Sequence, residues 1–170
     1  MENNHEIYPY KRIDHLKNIL KQFWEKKIVY IPQSVIDDIT NEILKRQING
    51  DLNLCRLRLI LKKLHYGEYL EYILNIFNIV TGTEPLILSK KNEIRIIQMF
   101  ELISKIYNIC CPPNRLSFFN YDYVLHRILQ QLELIDYLIY FPLYKNKVKL
   151  RHNDKIWKKI CDYYGWKTII

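Results

Sequence analysis

Apolar residues recur at helical spacing from one end of this chain to the other, and little interrupts the pattern. The first such segment covers about residues 11–27, and one of its faces carries Ile13, Leu16, Leu20, Phe23 and Trp24. Only 4 of the 170 residues are glycine and 6 are proline, so breaks between helices are short and few. Alternation with a period of two, which is typical of half-buried strands, is scarce. The sequence therefore predicts an all-α chain.

Capping residues and helix breakers divide this pattern into about seven helices. Ser34, with Asp37 three residues later, resembles a capping box and predicts the start of the second helix, which Asn49-Gly50 is predicted to end. The other predicted turns, caps and helix ends lie at Gly67, Gly82, Ser89, Pro112-Pro113 and Gly165. We expect a short tail of residues 1–10, followed by one compact helical domain over residues 11–170.

The last third of the sequence predicts two adjacent basic ridges. Residues 143–152 are expected to form an extended or irregular link, on one side of which alternation would place Lys145, Lys147, Lys149 and Arg151. Asn153 or Asp154 is then predicted to cap a last helix. The apolar face of that helix would carry Ile156, Trp157, Ile160, Cys161 and Tyr164. Its opposite face would carry Lys155, Lys158 and Lys159.

Positive charge is concentrated in this same region. The whole chain has a net charge of +8, and residues 144–170 hold 8 basic and 2 acidic side chains, a net charge of +6. Such a field favours a polyanionic partner, either nucleic acid or an acidic protein surface. Lysines on an outer helix face are also ordinary solvated residues, and the nearby tyrosines are more typical of a core than of a base-stacking platform. The seven residues predicted to bind nucleic acid are Lys145, Lys147, Lys149, Arg151, Lys155, Lys158 and Lys159.

Neither catalysis nor metal binding is indicated. The sequence lacks a phosphate-cradling glycine loop, a G-x-S-x-G elbow and an HExxH pair. The four cysteines, at positions 55, 110, 111 and 161, do not follow the C-x₂-C spacing of zinc sites. We expect no membrane-spanning helix, because no apolar run approaches the length that one needs. We also expect no export signal, so the thiols should be reduced. We expect a non-enzymatic protein without a cofactor, a membrane partner or a small-molecule substrate.

Three motifs in the second half carry a family resemblance. They are Tyr123-Val124-Leu125-His126, Phe141-Pro142-Leu143 with Lys145, and the run from Ile156 to Cys161 that reads I-W-K-K-I-C. The likeness continues upstream to residues 10–16, and includes residues 31–32, 61–64 and 114–122, so that it covers about residues 8–170. In this combination the chain resembles the poxvirus late transcription factor 3-like proteins of large eukaryotic DNA viruses.

The resemblance implies a viral late-gene transcription factor acting with the viral RNA polymerase and other viral late transcription factors, in cytoplasmic viral factories or in the virion. Family members usually carry a zinc ribbon upstream; with no C-x₂-C here, that ribbon is expected to be lost, encoded separately or removed. A ribbon followed by helices is also the plan of cyclin-like initiation factors, so a cyclin-like bundle is one expected arrangement. The alternative is a protein-interaction or virion structural module that does not contact DNA.

Overall fold

The computed structural model describes residues 7–23, 29–48 and 50–170, and within these segments it contains helices and coil but no strand. The α-helices are α1 (Ile7–Leu20), α2 (Gln33–Lys45), α3 (Leu54–Lys63), α4 (Ile73–Thr81), α5 (Lys90–Cys110), α6 (Tyr121–Gln131) and α7 (Lys147–Tyr164). Three 3₁₀ segments cover Lys21–Phe23, Gly67–Tyr72 and Ile135–Tyr140. The all-α prediction is confirmed. Trp24 and the end of the first predicted helix, like Asn49, lie outside the described residues.

The chain divides into two compact units. The larger consists of Met1–Trp24 and Leu88–Ile170 and contains α1, α5, α6 and α7. The smaller consists of Glu25–Ile87 and contains α2, α3 and α4.

The larger unit is built around α5, which packs against α1, α6 and α7. Its core includes Leu16, Phe100, Ile103, Val124, Leu125, Ile128, Trp157, Ile160 and Cys161, none of which exposes any surface. Fully burying a large apolar side chain contributes roughly 1.5–3 kcal/mol. These helices therefore stay folded mainly because each buries one apolar face against α5 or its neighbours.

Helix α6 holds α7 through a buried polar network. Arg127 of α6 is 2% exposed, and its Nη2 donates to Asp154 Oδ1 of α7 at 2.6 Å. The Tyr123 hydroxyl donates to the same carboxylate oxygen at 2.6 Å, and Arg127 Nη1 donates to Gln130 Oε1 at 2.9 Å. Burial, and then the neighbouring carboxylate, raise the pKa of Tyr123, so its hydroxyl remains a donor at neutral pH. These bonds replace water at both Nη atoms of the buried guanidinium, whereas its Nε has no hydrogen-bond partner.

The smaller unit packs α2, α3 and α4 around apolar residues from all three helices. Its core consists of Val35, Ile36, Ile39, Leu54, Leu57, Ile60, Leu61, Ile73, Ile76 and Phe77. One carboxylate, that of Glu42 in α2, links two helices. Its Oε1 accepts from Lys63 Nζ at the end of α3 at 2.6 Å and from Arg46 Nε at 2.7 Å. These two bonds lower the pKa of Glu42 from an ordinary 4.5 to about 2.

Several predicted helix ends are confirmed and two are wrong. Gly82 and Gly165 end α4 and α7 in the left-handed conformation, with φ of 67° and 69°. Ser89 caps α5, its hydroxyl accepting from the backbone N–H of Asn92 at 3.2 Å.

The capping box is the first error, because Pro32 occupies the cap position of α2, which has no side-chain cap bond, and Ser34 lies inside the helix. A proline fixes φ near −65° and so can set the chain direction without a capping side chain. The end predicted for the second helix at Asn49-Gly50 is the second error, because α2 ends at Lys45 and Gln47 is the residue there with positive φ, 53°. The turn predicted at Gly67 is present, since the Tyr69 N–H donates to the Tyr66 carbonyl oxygen at 3.1 Å.

We expect the two aspartates of α7 to differ greatly in their effect on stability. Replacing Asp154 by Ala leaves the Arg127 guanidinium buried without its counter-charge, and should lower the free energy of unfolding by about 3–5 kcal/mol. Asp162→Ala is the matched control. It removes an exposed carboxylate that pairs with Lys158 at 3.0 Å on the same helix, and should cost less than about 1 kcal/mol. Urea denaturation measures both, and equal losses would contradict the role of the network.

The Glu42 bridge predicts a pH dependence. Because the folded-state pKa of Glu42 lies below its unfolded value of about 4.5, its stabilisation is fully present above that pH and is lost as the pH falls towards about 2. The difference in thermal midpoint between the wild type and Glu42→Gln should thus be constant from pH 7 to about pH 5 and shrink below it. Glu84→Gln, at an exposed loop position, should follow the wild type throughout. A difference unchanged at pH 2.5 would contradict the assignment.

Candidate nucleic-acid interface

The seven residues predicted to bind nucleic acid lie mostly on one helix rather than on a link and a helix. Helix α7 begins at Lys147, and Asn146 caps it: its Oδ1 accepts from the backbone N–H groups of Val148 at 2.9 Å and Lys149 at 3.1 Å. The extended link predicted for residues 143–152 is therefore wrong from residue 147 onward. Asn153 and Asp154, the predicted caps, lie in the middle of α7.

The physical reason for this error lies in the spacing of the apolar residues. Leu150, Trp157 and Tyr164 are separated by seven residues each, which places them on one side of a helix. The alternating basic residues 145–151 fit a strand equally well by themselves. Asn146, a strong helix-capping residue, decides between the two.

On this longer helix the cations form a single face. At 3.6 residues per turn, Lys147, Arg151, Lys155, Lys158 and Lys159 fall within about 120° of the helix circumference, and all are exposed. We call these five residues the outer face. Lys149 is also exposed but lies to one side of them, and Lys145 precedes the helix. The structure thus brings five of the seven predicted residues onto one surface.

The acidic residues of α7 neutralise little of this face. Six of its 18 residues are basic and two are acidic, a net charge of +4. Asp154 points inward to Arg127, and Asp162 pairs with Lys158 in an exposed bridge. Among the described residues, no carboxylate forms an ion pair with the other four cations of the outer face.

The opposite side of α7 is buried, as predicted. Ile156 is 3% exposed, and Trp157, Ile160 and Cys161 are fully buried. Tyr164 closes this side: its hydroxyl donates to the carbonyl oxygen of Leu102 in α5 at 2.7 Å, and its ring stacks on Trp166. The outer face must therefore point away from the core.

The loop between α5 and α6 is tied to α7 by Arg115. Its Nη2 donates to Asn153 Oδ1 at 2.8 Å, and its Nε donates to the carbonyl oxygen of Ser117 at 3.1 Å. Asn153 is 4% exposed and in turn donates from Nδ2 to the carbonyl oxygen of Lys149 at 2.7 Å. The Tyr107 hydroxyl donates to the same Ser117 carbonyl at 2.8 Å. The loop is consequently fixed beside the middle of α7.

A groove of about 660 Å³ runs between this loop and α7. The loop contributes Arg115 and Leu116 to its walls, and α7 contributes His152, Lys155, Ile156 and Lys159. No aspartate or glutamate lines it. The sequence did not predict this groove, because nothing in local periodicity relates Arg115 to Asn153, 38 residues away.

In the segments that the structure describes, no group of three or more His, Cys, Asp or Glu side chains is arranged to hold a metal ion. All four cysteines are free thiols, and burial raises the pKa of Cys110 and Cys161. No helix in those same segments has the length and apolar character needed to cross a bilayer.

The three family-like motifs meet in the larger unit. His126 Nδ1 lies 2.6 Å from the carbonyl oxygen of Phe141, which joins the first motif to the second. Tyr123, in the first motif, bonds to Asp154, two positions before the first residue of the third motif. The three motifs that resemble the family therefore lie in one packed region of the larger unit.

Comparisons with known proteins agree with the motifs. The family model described as Poxvirus Late Transcription Factor VLTF3 like matches residues 3–168. The protein named "Putative transcription factor R429", of Acanthamoeba polyphaga mimivirus, is 48% identical over 94% of this chain and 37% of its own length. A494R of Paramecium bursaria Chlorella virus 1, which bears the same kind of name, is 36% identical over 99% of this chain and 47% of its own length.

This chain thus spans less than half the length of either relative. No solved structure matches it. The family match extends over nearly the whole chain and includes all three motifs. The chain belongs to the Poxvirus Late Transcription Factor VLTF3 like family.

Proposed function

We propose that this chain is the helical part of a viral late-gene transcription factor and that it binds duplex DNA through the outer face of α7. The observation that carries the proposal is the outer face itself, five exposed cations on one side of a helix whose other side is buried. The family, and the names of its two viral relatives, support a role in transcription. Viral RNA polymerase and other viral late factors are the partners expected beside DNA.

The dimensions of α7 suit the DNA backbone. Its 18 residues extend about 27 Å, and cations four residues apart lie about 6 Å apart along the axis. Duplex DNA presents one negative charge per roughly 1.7 Å of its axis, so each cation has a phosphate within reach. Binding would release condensed counterions and would weaken steeply with salt.

The outer face would position the protein rather than read a sequence. Four of its five residues are lysines, which act as point charges towards phosphates, and one is an arginine. Base recognition in the major groove usually relies on arginine, asparagine or glutamine forming paired hydrogen bonds. Promoter selectivity would then come from elsewhere in the complex, such as the polymerase or other viral factors.

An acidic protein surface could bind the same cations. The salt dependence of the affinity for duplex DNA distinguishes DNA from an acidic protein as the partner. In the test, Lys147→Gln, Arg151→Gln and Lys158→Gln are combined, because these residues lie outside the groove. If each loses one phosphate contact, the slope of log K against log salt should flatten by about 2–3. Fluorescence anisotropy with a 20-base-pair duplex over a series of salt concentrations measures the slope.

The matched control removes the same charge from α5, by Lys91→Gln, Arg95→Gln and Lys105→Gln at exposed positions. It should keep nearly the wild-type slope. Equal flattening in both variants would mean that only net charge matters. No binding to duplex by the wild type, even at low salt, would contradict direct DNA contact and favour an acidic protein partner.

A further inference from the structure

We propose that the groove between the α5–α6 loop and α7 holds one unpaired nucleotide of a single DNA strand, its phosphate on Lys155 and Lys159 and its base against Leu116. This inference rests on the proposed function in taking DNA as the partner. It goes beyond it by assigning a second site, with a different form of DNA as ligand.

The α7 side of the groove is cationic. His152, Lys155 and Lys159 follow one another at separations of three and four residues, so they line one edge of the helix, and all three are exposed. Arg115 adds a charge from the loop. Its hydrogen-bond partners are a carbonyl and an amide oxygen, and it lies 5.9 Å from the centre of the Tyr107 ring and 5.8 Å from that of Phe119. All of these groups are neutral, so none of them cancels the charge. With no carboxylate in its lining, the groove attracts an anion.

The loop also contributes an exposed apolar side chain, that of Leu116. Leu116 is 99% exposed, although its loop is held by the Arg115 bonds and by the turn from Arg115 N–H to the Pro112 carbonyl at 3.0 Å. Ile156 forms part of the opposite wall. When a flat, weakly hydrated surface covers such an exposed apolar side chain, water leaves both surfaces and the free energy falls. The face of a nucleobase is such a surface.

These two walls together favour a nucleotide from a single strand. In a duplex the base faces are covered by their stacked neighbours, so only an unpaired base can contact Leu116. A volume of about 660 Å³ lies within the range of about 300–1,000 Å³ that is typical of sites for small molecules. Lys155 and Lys159 belong to both the groove and the outer face, so a strand on the outer face can continue into the groove. An acidic peptide would supply charge but no flat base.

The first test is a substitution that changes no charge. Leu116→Ala should weaken binding to a 15-nucleotide single strand on the order of fivefold, because the contact with the base is lost. Binding to the duplex of the same sequence should be unchanged. Since the Leu116 side chain is almost entirely exposed, the variant should keep the wild-type circular dichroism spectrum. Anisotropy with labelled single-stranded and duplex DNA at one salt concentration measures both affinities.

The second test compares two pairs of lysines on α7. Lys155→Gln with Lys159→Gln removes two charges from the groove, and Lys147→Gln with Lys149→Gln removes two from positions outside it. The groove pair should lower single-strand affinity at least threefold more than the control pair.

Equal loss in the two pairs, or no effect of Leu116→Ala, would overturn the proposal. Competition by poly-glutamate at the same charge concentration as the single strand would overturn it too, because the site would then bind anions of any kind. In each of these cases the duplex salt series still reports on the outer face. Failure of the groove is thereby distinguished from failure of the proposed function.

Discussion

The bond between Arg127 and Asp154 determines how α7 is oriented. Arg127 is almost completely buried, so its guanidinium needs a carboxylate in the same interior position, and α7 supplies it with its one inward-facing acid. Asp154 lies at the border between the buried side of α7 and the outer face, three residues from Arg151 and four from Lys158. Holding it against Arg127 therefore fixes where that border falls and leaves these two cations in solvent. The buried ion pair thus determines where the cationic surface lies, although none of its atoms belongs to that surface.

Asn153, the residue before Asp154, connects α7 to the loop that lines the groove. It is also buried, but it points to the α5–α6 loop, where it accepts from Arg115. Two adjacent polar residues therefore bind two different parts of the larger unit, α6 and the loop. Because both bonds depend on the rotation of α7, the outer face and the groove keep a fixed geometry relative to one another. A strand that contacts both would meet a preformed surface, with little ordering cost on the protein side.

Local sequence signals predicted the helices well and the site only in part. The apolar period located α3, α5 and α6, and left-handed glycines marked the ends of α4 and α7. The predicted start of α7 is wrong because the basic residues at positions 145 to 151 alternate as they would on a strand, and only the cap at Asn146 distinguishes the helix. The groove was beyond prediction, because it depends on hydrogen bonds between Arg115 and Asn153 that local periodicity does not reveal. All seven predicted cations are exposed, and their role in binding stays a prediction.

The separation of the two sides of α7 has a consequence for how such a protein can change over generations. The inward side carries Ile156, Trp157, Ile160 and Cys161, where almost any replacement leaves a cavity or a clash. The outward cations touch little of the core, so a gene can gain or lose them one at a time while the chain still folds. The charge of this surface can therefore change in small steps between related proteins, with no intermediate whose folding is compromised.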